Sequence, residues 1–166
     1  MKTSAYKVML LGQIGVGKSS IAQRLVFDRF ESSYKPTIGV DVYSYEVEAD
    51  NNTIPMIVWD SDGNLGDAMF RHVYLKEASA ALVVGDISRH DTIEAMPAIA
   101  AAFRERLPGR SVAFLVNKID LSGDATLLDS DLAREGEPVF RTSALTGDNV
   151  KRAFAETAKA IVRRSQ

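Results

Sequence analysis

Gly12-Gln13-Ile14-Gly15-Val16-Gly17-Lys18-Ser19 is the stretch that decides how this chain is read. It satisfies the pattern G-x-x-x-x-G-K-[ST] at every position. Before it, Tyr6-Lys7-Val8-Met9-Leu10-Leu11 is a short apolar run that ends at glycine, as a strand would. After it, Ile21, Leu25 and Val26 recur at helical spacing, which predicts a helix from Lys18 to about Phe27. Strand, glycine-rich loop and helix thus stand in the order that phosphate binding requires. The glycines let the backbone curl, so that successive N–H groups converge as an anion nest. The start of the helix adds the positive end of its dipole. Gly12, Ile14, Gly15, Val16, Gly17, Lys18, Ser19 and Ser20 are therefore the expected phosphate-binding residues. Lys18 can reach β- and γ-phosphates, and the Ser19 hydroxyl is placed to bind Mg²⁺. The loop by itself does not choose between ATP and GTP.

Working outward, the chain alternates strands and helices, which argues for a mostly parallel sheet covered on both faces. Val40 to Ala49 and Thr53 to Trp59 flank Asp50-Asn51-Asn52, a turn sequence, and predict an antiparallel hairpin. Ala80 to Val84 is a continuous apolar run, as expected of a buried central strand. Thr92 to Leu107 is a predicted helix, closed by the breaker pair Pro108-Gly109. Ser111 to Val116 is a further buried strand and Pro138-Val139-Phe140-Arg141 a short last one. A final helix runs from about Asp148 to Arg164, with Val150, Phe154, Ala158 and Ile161 on one face. Six strands and about five helices result.

The choice of base falls to Asn117-Lys118-Ile119-Asp120, which directly follows the Ser111–Val116 strand. An aspartate carboxylate can accept hydrogen bonds from both N1–H and N2–H₂ of guanine, a donor pair that adenine lacks. A buried site built for such donors rejects a base without them, because the carboxylate would stay desolvated and unpaired. Asn117 is placed to bond nearby loops and the base, and the stem of Lys118 to lie along the base plane. The segment follows the glycine loop by roughly 100 residues and sits at a strand end, where open α/β sheets bind ligands.

Bulk composition narrows the partners. The chain has 166 residues, 46% hydrophobic and 25% charged, an ordinary globular composition that fits one domain over residues 1–166. Its net charge of −2 makes nucleic acid a poor default partner. With no cysteine, disulfides and thiolate metal sites are excluded, which fits a reducing cytosol. No apolar run approaches the roughly 20 residues needed to span a bilayer, and the N-terminus lacks signal-peptide anatomy. His72 and His90 are isolated, and Lys151-Arg152 and Arg163-Arg164 read as a solvated helix face.

With both segments in view, the chain resembles the Ras superfamily of small GTPases over nearly its whole length, and the Rab branch in particular. Tyr34-Lys35-Pro36-Thr37-Ile38-Gly39-Val40-Asp41 is similar to a Rab switch I, and Val58-Trp59-Asp60-Ser61-Asp62-Gly63 to the W-D-x-x-G motif. Thr142-Ser143-Ala144-Leu145-Thr146-Gly147-Asp148-Asn149-Val150 resembles the T-S-A-K-T-G-x-N-V segment. The resemblance implies the small G-protein fold of P-loop NTPases: a six-stranded, mostly parallel sheet with helices on both faces. It implies a GTPase that binds GTP or GDP with Mg²⁺ and works as a molecular switch. By the same match Ser19, Thr37 and, through water, Asp60 serve the metal, and Tyr34, Pro36, Thr37 and Gly63 meet phosphate. Phe30, Asn117, Lys118, Asp120, Leu121, Ser143, Ala144 and Leu145 surround the guanine. Lys18, Thr37, Gly63 and Asn64 form the catalytic set. Switch I (about Phe30 to Ile38) and switch II (about Asp60 to Leu75) would meet effectors, exchange factors and activating proteins. A cytoplasmic location, at the membrane periphery through partners, is implied as well.

The sequence departs from the family at several points. Asn64 stands where the family has the glutamine that orients the attacking water, and Asp62 where a small uncharged residue is usual. Ile14 occupies a loop position that is glycine or small in relatives, and would crowd an arginine finger. No cysteine tail is present, so no lipid anchor is expected in this chain. Ser143 lies only 23 positions after Asp120, so a stunted helix, Asp124 to Arg134, is expected between them. Asn64 predicts slow intrinsic hydrolysis, with Ile14 further hindering an arginine finger supplied in trans. The departures leave open a nucleotide-bound scaffold without activity, or a GTPase domain of a larger Roc-type protein; Asn117 to Asp120 argues against a P-loop kinase or ATPase.

Overall fold

The computed structural model describes residues 4–31, 40–61, 75–121, 132 and 134–165. Strand β1 (Tyr6–Leu11) leads through the glycine loop into helix α1 (Lys18–Phe27). Strands β2 (Val40–Ala49) and β3 (Asn52–Ser61) form the hairpin, and β4 (Ala80–Asp86) follows. Helices α2 (His90–Glu94) and α3 (Met96–Arg106) precede β5 (Ser111–Asn117). A 3₁₀ turn (Ile119–Leu121), strand β6 (Val139–Arg141) and helix α4 (Val150–Arg164) complete the described elements.

Among the described residues, six strands join one sheet in the order β2-β3-β1-β4-β5-β6. Only β2 runs antiparallel, against β3. The other pairs are parallel, so β1, β3, β4, β5 and β6 end along the same edge. Strand β1 shows why its sequence gives no alternation. Val8 and Leu10 join the core beneath α1 and α4, while Met9 and Leu11 join the core beneath α3. A strand covered on both faces must be apolar at every position. Phe154 of α4 anchors the first core and Phe103 of α3 the second, both fully buried.

The expected doubly covered sheet is observed, with three local differences. The hairpin turn is two residues, not three: Ala49 pairs with Asn52, and Asp50 and Asn51 have φ of 49° and 63°. That is the left-handed pair a tight hairpin needs, and Asp and Asn tolerate it. The helix expected over Thr92 to Leu107 starts earlier, at His90, and is broken after Glu94. Pro97 explains the break, since it has no N–H to give and its ring crowds the carbonyl of Ile93. The last helix begins at Val150 rather than Asp148, because Asn149 at φ 59° lies outside helical geometry. Its side chain instead donates Nδ2–H to the Arg141 carbonyl at 2.8 Å. The short helix expected from Asp124 to Arg134 lies almost wholly outside the described residues; Leu132, within it, is buried in the α3-side core.

Candidate nucleotide site

The glycine loop leaves β1 at the sheet edge where β3, β4 and β5 also end. Gly12 has φ 147°, and a Cβ there would stand 2.4 Å from the Val84 carbonyl oxygen. Gly17, at φ 103°, is packed so closely that a Cβ would meet Asn117 Nδ2 at 2.3 Å. Any side chain at either position would push apart the loop and the strand ends behind it. Gly17 is also the N-cap of α1, which carries no side-chain cap bond. Lys18, 94% buried, curls over the loop and donates from Nζ to the carbonyls of Gly12 (2.8 Å) and Gln13 (2.9 Å).

Next along the edge, the Ser19 hydroxyl donates to Asp60 Oδ2 at the end of β3. A hydroxyl beside a buried carboxylate is a hard-oxygen set, the donor chemistry Mg²⁺ prefers. The residues present therefore fit that ion. Among the described residues no cluster of three His, Cys, Asp or Glu side chains that could hold a metal occurs.

The base segment is bolted to the loop. Asn117 is buried; it donates Nδ2–H to the Val16 carbonyl (3.0 Å) and accepts at Oδ1 from the Thr142 hydroxyl (3.0 Å). Lys118, at φ 67°, donates from Nζ to the Gly15 carbonyl at 2.8 Å. Asp120 lies in the 3₁₀ turn and accepts at Oδ1 from the Ser143 hydroxyl at 2.7 Å. Arg24 of α1 clamps the third loop, donating to the carbonyls of Ala144 (2.8 Å) and Leu145 (2.7 Å). Ala144 and Ser143 are buried, whereas Phe30, Leu121 and Leu145 are exposed.

Of the residues expected from sequence, the structure thus brings Gly12 to Ser19, Asp60, Asn117, Lys118, Asp120 and Ser143 to Leu145 to one edge. Tyr34, Pro36, Thr37, Asp62, Gly63, Asn64 and His72 lie outside the described residues, as do most of both switches. His90 is exposed and lies 2.9 Å from Glu94. The basic residues Lys151, Arg152, Arg163 and Arg164 are exposed, as a solvated face requires.

The sequence assigned no role to Asp86, Arg89 or Arg24, and none to Thr142 beyond its place in the T-S-A-like segment. Asp86 had a faint signal: a carboxylate closing an otherwise apolar strand at the ligand edge. It is buried, and its Oδ1 accepts from the Ser88 N–H (2.8 Å) and hydroxyl (2.6 Å). Burial acts to raise its pKa, but the bonds from Ser88 and Lys118 and the Lys118 charge outweigh it, holding the carboxyl below its usual range.

Strand order and the phosphate loop together define the small G-protein fold of P-loop NTPases. The family model for the Ras family matches residues 7–163. The rice Ras-related protein RIC2 (Oryza sativa subsp. japonica) is 34% identical over 163 residues, covering 95% of this chain and 75% of the relative. Human Rab-4B is 32% identical, covering 95% and 76%. Mouse Rab-26 is 32% identical, covering 97% of this chain and 64% of its own length. The chain belongs to the Ras family and is a Ras/Rab-like small GTPase, a class that binds GTP or GDP with Mg²⁺, hydrolyses GTP, and meets regulators and effectors. Among the described residues no helix is long and apolar enough to cross a membrane.

Proposed function

We propose that this chain is a Mg²⁺-dependent guanine-nucleotide switch within a single domain, residues 1–166, with slow intrinsic hydrolysis. The observation that carries the assignment of residues is the pair of bonds from Asn117 Nδ2 to Val16 and from Lys118 Nζ to Gly15. They make the loop for phosphate and the segment for base one rigid unit. In this reading Gly12 to Ser20 cradle the phosphates, with the Lys18 ammonium neutralising charge on them. Ser19, Thr37 and, through water, Asp60 would hold Mg²⁺, which would supply charge stabilisation at the phosphoryl group. Asp120 reads the guanine N1–H and N2–H₂, Asn117 and Lys118 flank it, and Phe30, Leu121 and Ser143 to Leu145 complete the base pocket.

Thr37 and Gly63 sense the γ-phosphate, Tyr34 and Pro36 support it, and Asn64 faces the attacking water. Asn64 and Ile14 slow the loss of the γ-phosphate, whereas the Asp62 carboxylate near it biases the domain toward GDP by charge repulsion; effectors read the resulting state through the two switches. Rab-like membrane trafficking through partners is the corresponding cellular role. The test is chromatography of the nucleotide released from purified protein on denaturation. Bound GDP or GTP supports the reading, and persistent GTP its slow form. ADP, or no nucleotide under any loading condition, would refute the base assignment.

A further inference from the structure

Asp86 Oδ2 serves two cations at once, lying 2.9 Å from Lys118 Nζ and 3.3 Å from Arg89 Nε. Each cation in turn donates to the glycine loop. Lys118 Nζ reaches the Gly15 carbonyl at 2.8 Å, and an Arg89 terminal nitrogen reaches the Ile14 carbonyl at 2.7 Å. One buried carboxylate therefore organises two grips on two consecutive peptides, across 75 residues of chain in the case of Arg89.

Peptide geometry gives this a consequence. Each peptide in the loop is planar and trans, so its C=O and N–H point in opposite directions. Holding the Ile14 and Gly15 carbonyls toward Arg89 and Lys118 turns the N–H groups of Gly15 and Val16 the other way. A cation on the carbonyl also polarises the peptide and makes that N–H a stronger donor. Arg89 suits the task because its planar fork places Nε on Asp86 while a terminal nitrogen holds Ile14; a lysine head is a single point charge.

We propose that Arg89 is a positioning residue of the nucleotide site: anchored on Asp86, it holds the Ile14 peptide so that the loop retains the phosphates, and it sets how slowly nucleotide leaves. The inference rests on the guanine-nucleotide reading above. A purely structural Arg89 makes a different forecast. Its side chain is 43% exposed, and exposed ion pairs contribute little to stability.

The experiment follows release of a fluorescent GDP analogue, in excess Mg²⁺, from the wild type, Arg89→Ala and Arg89→Lys. Thermal unfolding and the preference for GDP over xanthosine diphosphate are measured alongside. Losing a half-exposed charge-assisted bond should speed release by roughly 5- to 20-fold in Arg89→Ala. Arg89→Lys should fall between, since it keeps the charge on Asp86 and loses the bridge to Ile14. The base preference should not change, because no base contact is touched. Wild-type release from both variants overturns the proposal, as does a lowered melting temperature with unchanged release. A reduced preference for guanine also overturns it, since the effect would then run through Lys118. Should Arg89→Ala not fold, Arg89→Lys decides alone, by faster or wild-type release. A wild type that holds no guanine nucleotide is a separate result, which refutes the underlying reading and the inference with it.

Discussion

Asp120 stands at the middle of a 3₁₀ turn with one carboxylate oxygen held by the Ser143 hydroxyl. That bond orients the carboxylate while leaving lone pairs for two donors on a base. Asp120→Asn exchanges an acceptor for a donor at one oxygen position, which suits xanthine, whose edge offers a carbonyl there. Affinity for GDP should fall by about 1.5–3 kcal/mol, the worth of a hydrogen bond to a charged group, with preference moving toward xanthine nucleotides. Competition binding with the two diphosphates measures it, and unchanged selectivity would relocate the base site. Asn64 is a second test at this scale. Its amide is one methylene shorter than that of glutamine, and a misplacement near 1 Å costs on the order of a hundredfold in rate. In single-turnover GTP hydrolysis, Asn64→Gln should accelerate the reaction and Asn64→Ala change it little. If alanine abolishes turnover instead, Asn64 already positions the water.

Elements contribute through what they carry to the sheet edge. Helix α4 packs against the sheet through Val150, Phe154, Ala158 and Ile161, and its entry is pinned by Asn149 to β6. Phe154 is fully buried, so Phe154→Ala should lower unfolding free energy by about 3–5 kcal/mol in urea titration. A loss under about 1 kcal/mol would mean that α4 contributes little packing. Strand β4 carries Asp86, whose folded pKa is lowered from 3.8. A depressed carboxylate adds stability above its unfolded pKa and gives it up as pH falls through the folded one. The stability difference between wild type and Asp86→Asn should therefore be constant from neutral pH down to about 3.8 and shrink below it. Paired denaturant titrations across that range decide; a gap that widens in acid would show that Asp86 is not held as the anion.

Across the whole molecule, five strand ends converge on one edge, and loops distant in sequence become neighbours there. Guanine nucleotide bound at that edge touches the folded state alone, so it must stabilise it by mass action. At a thousandfold excess of GDP over its dissociation constant the gain is about 4.1 kcal/mol, whereas ADP should give none. Thermal melts with each nucleotide, with and without a Mg²⁺ chelator, read this directly, and equal shifts for GDP and ADP would contradict guanine selectivity.

The phosphate loop was legible because every part of it is local. Gly12, Gly17 and Lys18 lie within seven consecutive positions, between a run apolar on both faces and a helix of period 3.6. Asn117 to Asp120 was legible for the same reason, as a short segment at a strand end. What tertiary structure alone decided was adjacency. A strand buried on both faces, such as Tyr6–Leu11 or Ala80–Asp86, shows no alternation and so says nothing about which strand lies beside it. Only the sheet order sets β4 between β1 and β5 and brings Arg89 over Ile14. Only the docking of α1 against the β2–β3 hairpin and α4 lets Arg24 hold Ala144, 120 residues away. Local patterns report the forces along the chain; which distant groups meet depends on how the layers stack, and no period in the sequence records it.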